Sequence, residues 1–106
     1  MIILTIDVTK QVLDYEGKPV KETNLDDSPV LTWRSVFFTA LNNFTKDEQP
    51  TGELKTKCYQ ITQKIFASKD ADLTVEQRAL ILERVKKIFT SPLICGRVEE
   101  LLEEKK

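Results

Sequence analysis

The sequence predicts an α+β domain, a small antiparallel sheet of two or three strands at the N-terminus packed on a bundle of about four α-helices. Three observations predict it. The first eight residues alternate apolar and polar with a period of two. Most of the chain after residue 31 carries apolar residues at helical spacing. The stretches between show turn and capping residues at short intervals. With 106 residues and no linker, repeat or low-complexity stretch, residues 1–106 read as a single domain. Residues 1–22 form a β-hairpin-like segment, and residues 31–104 form the helical part.

In the opening segment Ile2, Leu4, Ile6 and Val8 share one face, and Ile3, Thr5, Asp7 and Thr9 share the other. That is the pattern of a strand with one buried side. Val12-Leu13-Asp14-Tyr15 reads as a second extended piece, resuming at Val20-Lys21-Glu22 after a turn. Gly17 is free to take a positive φ there, and Pro19 fixes φ near −65°. A sheet this small is marginal alone, so it must pack on helices. Residues 23–30 are a polar connector.

Thr32 caps a first helix, in which Trp33, Val36, Phe37, Ala40, Leu41 and Phe44 repeat at 3.6-residue spacing. Phe38 falls outside that stripe. A second helix over about Gly52 to Ala67 presents Leu54, Cys58, Ile61 and Ile65 inward, with Tyr59 and Phe66 widening the face. Thr74 and Gln77 form a capping box, each side chain accepting from the other residue's backbone N–H. The third helix follows, with Ala79, Leu82, Val85 and Phe89 as its stripe, broadened by Leu80, Ile81 and Ile88. Ser91-Pro92 breaks it and starts a fourth, since proline suits the first helical position. Ile94, Val98, Leu101 and Leu102 give that helix its apolar side, and Glu-Glu-Lys-Lys closes the chain.

The composition limits what the chain can do. Sixteen basic and 17 acidic side chains leave a net charge of −1, so no global field draws the protein to nucleic acid or anionic membrane. Residues 1–30 carry a local −3 and residues 46–69 a local +2. No apolar run approaches the roughly 18–20 residues that cross a bilayer, and the start lacks the features of a signal peptide. Two cysteines, Cys58 and Cys95, are too sparse for a secreted disulfide framework and read as reduced thiols. A cytoplasmic location is expected, in the host cell if the chain is phage-encoded.

There is no histidine, which removes the commonest general base and metal ligand. Cys58 falls on an inner helix face as a small hydrophobe. Cys95 stands near a helix start beside Gly96 and Arg97, a setting that lowers a thiol's pKa. Gly96 costs a helix about 1 kcal/mol relative to alanine, and close helix–helix contact is the expected reason. Asp70 and Asp72 read as loop and cap acids; a calcium loop would need glycine at Val75 and glutamate at Ile81. Three glycines, at 17, 52 and 96, cannot make a phosphate loop. The expectation is no enzyme and no cofactor.

Two binding readings remain. Exposed aromatic and arginine side chains anchor protein interfaces, which nominates Tyr15, Phe38, Tyr59 and Arg97, with Trp33 as a further candidate. The apolar N-terminal strand also offers an edge for a homodimer. The alternative is a small DNA/RNA-binding regulator using Arg78, Arg84, Lys86 and Lys87 of the third helix. The glutamate-rich helix after it argues against major-groove binding.

Three stretches resemble a family of small uncharacterised proteins of tailed bacteriophages and prophages. One is Leu31-Thr32-Trp33-Arg34-Ser35-Val36 with Ala40-Leu41, following a Gly-Lys-Pro turn. Another is Asp72-Leu73-Thr74, leading to Leu80-Ile81 and Val85-Lys86-Lys87. The last is Pro92-Leu93-Ile94-Cys95-Gly96-Arg97-Val98 with Glu100-Leu101-Leu102. Together they touch about two-thirds of the chain. The resemblance brings no activity and no functional residue. It implies an interaction role, in virion assembly or in binding a host protein.

Overall fold

A computed structural model describes residues 3–21 and 29–102. Within them the order is β1 (Ile3–Asp7), α1 (Trp33–Asn42), α2 (Gly52–Ala67), β2 (Asp70–Thr74), α3 (Val75–Ile88) and α4 (Pro92–Leu102). This is an α+β fold with an antiparallel sheet and four helices, as the pattern predicts. Residues 23–28 of the expected connector over 23–30, together with residue 22 and the closing residues 103–106, lie outside the described residues.

The sheet differs from expectation in where its second strand comes from. β1 pairs with β2, Ile3 facing Thr74 and Asp7 facing Asp70. Thus Asp70 and Asp72 are strand residues instead of loop acids. Their neighbours Ala71 and Leu73 are buried, and the two aspartates are exposed. The strand is five residues long, and its last residue, Thr74, is already the cap of the next helix. Thr5 Oγ1 donates to Asp72 Oδ1 at 2.5 Å, and Lys69 lies 3.6 Å from the Asp7 carboxylate across the pair.

The hairpin-like segment forms three isolated bridges: Gln11 with Thr32, Leu13 with Pro19, and Lys21 with Val30. Val12 N–H donates to Leu31 O, Leu31 N–H to Val20 O, and Val20 N–H to Val12 O, closing a ring of backbone bonds around the buried Val12. Pro19 has no N–H to extend the ladder. At the tip, Asp14 Oδ1 accepts from the Glu16 and Lys18 N–H groups at 2.8 and 2.9 Å, and Gly17 takes φ +81°. Those two N–H bonds hold the Asp14 carboxyl below its ordinary pKa.

The same segment closes the start of α1. The first N–H groups of a helix have no partner within it. Here Trp33 N–H donates to Lys10 O and Arg34 N–H to Val8 O, and Thr32 Oγ1 accepts from Ser35 N–H. The predicted stripe of α1 is buried from Trp33 to Leu41, and Phe44 is half-buried beyond the helix end. In α2, Thr51 caps and Cys58, Ile61 and Ile65 face inward. Tyr59 and Phe66, expected to widen that inner face, are exposed at 60% and 53%.

The α3 capping box forms as read: Gln77 N–H donates to Thr74 Oγ1, and Thr74 N–H to Gln77 Oε1. Its buried face keeps Ile81 and Val85 of the predicted face, with Leu80, Leu82 and Phe89 half-buried against the core, but is turned toward two arginines. Arg78, Ile81, Arg84 and Val85 are inside, and Ala79 is exposed. α4 begins at Pro92 and buries Ile94, Val98 and Leu102. The core collects these faces around Phe37, Leu41, Ile61, Ile65, Leu73, Ile81, Val85 and Val98.

Candidate functional site: an aromatic seam between two helices

The side chains expected on surfaces fall into three groups. The most organised lies along the seam between α1 and α2. Arg34, Phe38 and Asn42 recur every four residues on α1, so they share one helix face. Thr62 and Phe66 repeat at the same interval on α2. Phe38 and Phe66 meet edge to face with ring centroids 5.6 Å apart, and the Arg34 guanidinium lies 5.3 Å from the Phe66 centroid. Edge-to-face rings and a cation over a ring face are both attractive, since the quadrupole is negative on the face and positive at the edge.

Backbone bonds fix this arrangement. Arg34 Nε donates to Ile65 O at 2.7 Å and its terminal NH2 to Ser68 O at 3.0 Å, which satisfies carbonyls at the end of α2. Asn42 donates to Phe38 O and to Thr62 Oγ1, each at 3.0 Å. Both rings are nevertheless about half exposed, Phe38 at 43%. Tyr59 stands two turns from Phe66 on α2, and its hydroxyl accepts from Gln63 Nε2. The structure thus places Phe38 and Tyr59 on exposed helix faces. It adds Phe66 and Arg34, which sequence reasoning missed. The four-residue spacing of Arg34, Phe38 and Asn42 was the available signal.

Tyr15 and Arg97 come together elsewhere. Arg97 donates to Leu13 O at 3.1 Å and to Asp14 O at 2.7 Å, pinning the hairpin tip to α4. With Tyr15, Pro92, Leu93, Gly96 and Glu100 it lines an open cleft of about 280 Å³. Arg97 is therefore a tether for the hairpin, and Tyr15, 78% exposed, projects from the tip it holds. Gly96 contradicts its expected role: a Cβ there would meet nothing within 4 Å, so no helix packs against it.

The third group, the basic residues of α3, does not assemble. Arg84 is 1% exposed and serves the interior. It donates to Ala40 O, to Asn43 O at 2.6 Å and to both Glu48 oxygens, and its guanidinium lies 4.4 Å from the Phe44 ring centroid. Its hydrogen bonds, with one from Thr45 N–H, lower the Glu48 pKa to about 2. Arg78 is also buried and donates to Leu102 O near the end of α4. Lys86 pairs with Glu99 at 2.9 Å, and Lys87 with Glu48 and Glu83. Two of the four cations are interior, which corrects the expectation that Arg78 and Arg84 could contact nucleic acid; the other two are half exposed and matched by carboxylates.

The thiols are equally quiet. Burial pushes the Cys58 pKa up, away from thiolate chemistry. Cys95 Sγ is half-buried and donates to Phe89 O at 3.5 Å. A further open groove of about 380 Å³ lies between the starts of α2 and α3, with Leu54, Ile61 and Leu80 among its lining and Glu53, Lys57 and Glu76 also bordering it. Thr51 and Thr74 already cap both helices there. No helix among the described residues is long and apolar enough to cross a membrane. No protein-family model, curated protein or solved structure matches the chain.

Proposed function

We propose that this chain is a non-enzymatic, phage-encoded binding protein that engages a host or phage protein, or assists virion assembly, through the α1–α2 seam. The observation that carries the reading is the Phe38–Phe66 pair, held in a fixed geometry beneath Arg34 and left half exposed. Apolar rings on a surface gain most of their stabilisation only when a second surface covers them. Rings already locked by neighbours lose little entropy on binding, so they make efficient anchors. Arginine and aromatic side chains also dominate interface energies. The expected partner offers an apolar side chain to the two rings.

The test is affinity purification from infected cells with the wild type and with Phe38→Ser/Phe66→Ser. Both rings are largely outside the core, so the variant is expected to keep the wild-type melting temperature within a few degrees. A partner held through the seam should be recovered stoichiometrically by the wild type, with its affinity reduced at least about 30-fold in the variant. Equal recovery by both proteins would move the interface away from α1–α2.

The nucleic-acid alternative loses two of its four residues, because Arg78 and Arg84 are interior.

A further inference from the structure

The two edges of the β1–β2 sheet are finished differently. Val8 N–H donates to Lys69 O, which sets the phase of the antiparallel ladder. Leu4, Ile6 and Val8 turn their backbone groups toward β2, while Ile3, Thr5 and Asp7 turn theirs outward. On the far side, Asp70, Asp72 and Thr74 also face outward, and this chain closes that edge itself. Lys64 Nζ donates to Asp72 O at 2.9 Å, Ser68 Oγ to Asp70 O at 2.7 Å, and Thr74 N–H to Gln77 Oε1. The β1 edge has no such closure among the described residues. Among the described residues its one outward bond is long, Lys10 N–H to Asp7 O at 3.4 Å.

We infer that the β1 edge is the docking site for a second copy of this chain, paired antiparallel about a two-fold axis at Thr5. The inference is independent of the aromatic seam. In that register Thr5 faces Thr5 of the second copy, Leu4 faces Ile6, and Ile3 faces Asp7. No like charges are opposed, and Asp7 keeps Lys69 and Thr9 as partners. A threonine pair is a favourable cross-strand match. Leu4, half-buried at the rim of the core, gains cover from Ile6 of the second copy. The outcome is one four-stranded sheet in place of two two-stranded ones, and two-stranded sheets are marginal in water. Isologous pairing by one edge is the simplest closed symmetry. A five-residue edge is small, so the dimer forms at high concentration and exchanges quickly.

Sedimentation from about 1 μM to about 1 mM, with amide exchange followed by NMR, tests it. The mass should rise from 12.2 kDa toward twice that value. The Thr5 amide should gain protection with concentration, while the Ile6 amide, already bonded to β2, should not. Thr5→Lys sets two lysines face to face in the dimer yet faces Asp72 in the monomer. It should raise the dimer dissociation constant about tenfold or more. Thr5→Pro removes the outward N–H, and with it the hydroxyl bond to Asp72, and should abolish pairing. A wild type that stays monomeric to about 1 mM, or a dimer equally strong in Thr5→Lys, would overturn the inference. So would a Thr5 amide protected in the monomer, or one protected only when a different protein is added. The wild-type amide and Thr5→Lys decide the matter even if Thr5→Pro fails to fold.

Discussion

Arg84 is the side chain whose role a sequence hides best. Arginine on a helix beside lysines looks like surface charge, and only the tertiary fold shows the loop over 43–48 wrapped around it. It joins two carbonyls near the end of α1, one carboxylate and one ring, and no buried side-chain polar atom among the described residues lacks a partner. Arg84→Met would leave those acceptors unpaired, with an expected loss of about 3 kcal/mol. Thermal unfolding should show it as a fall of more than about 10 °C. The partner carboxylate predicts a pH effect. Glu48 has a folded pKa near 2 against an ordinary 4.5, so its contribution is complete above pH 4.5 and is lost as pH falls toward 2. Urea unfolding across that window should be less steeply pH-dependent in Glu48→Gln.

At the level of elements, the helices were legible because each carries its own punctuation. Thr32, Thr74 and Pro92 stand where the helices start, and the α1 stripe is buried as spaced. β2 was not legible. Ala71 and Leu73 alternate with Asp70 and Asp72, but four residues of alternation beside a capping box look like a loop. Nor was the exposed aromatic side of α2, because Tyr59 and Phe66 border the inner face closely enough to be read as part of it. Of the seam, the sequence nominates Phe38 but not Phe66 or Arg34, since the contacts joining α1 to α2 come from residues far apart in the chain. α4 offers a prediction. Gly96 pays the helical cost of glycine with empty space above it, so Gly96→Ala should stabilise the fold by about 1 kcal/mol. Calorimetry should record a higher melting temperature by about 4–8 °C. An unchanged or lower value would mean the unfolded-state argument fails at this site.

Across the whole molecule, the N-terminal segment acts as a strap. It pairs with β2, caps α1 through the Val8 and Lys10 carbonyls, and is held to α4 by Arg97. Among the described residues of α4, Arg97 is the side chain that holds the strap's distal end. Arg97→Ala should therefore leave global unfolding nearly unchanged. It should speed exchange of the Asp14 amide, bonded to Lys18 O, about fivefold or more. Charge at this scale is evenly spent. The net charge is −1, and on α3 Lys86 pairs with Glu99 and Lys87 with Glu83.

The pairing of Thr5 with Asp72 spans 67 positions of chain. A ribosome adding roughly 5–20 residues per second needs roughly 3–13 s to make the second strand after the first. Throughout that interval Leu4, Ile6 and Val8 lack the strand they pair with. The nascent protein thus makes β1 well before the strand that covers its inner edge. That order makes β1 the stretch that chaperones, or a neighbouring chain on the same polysome, meet before the fold exists.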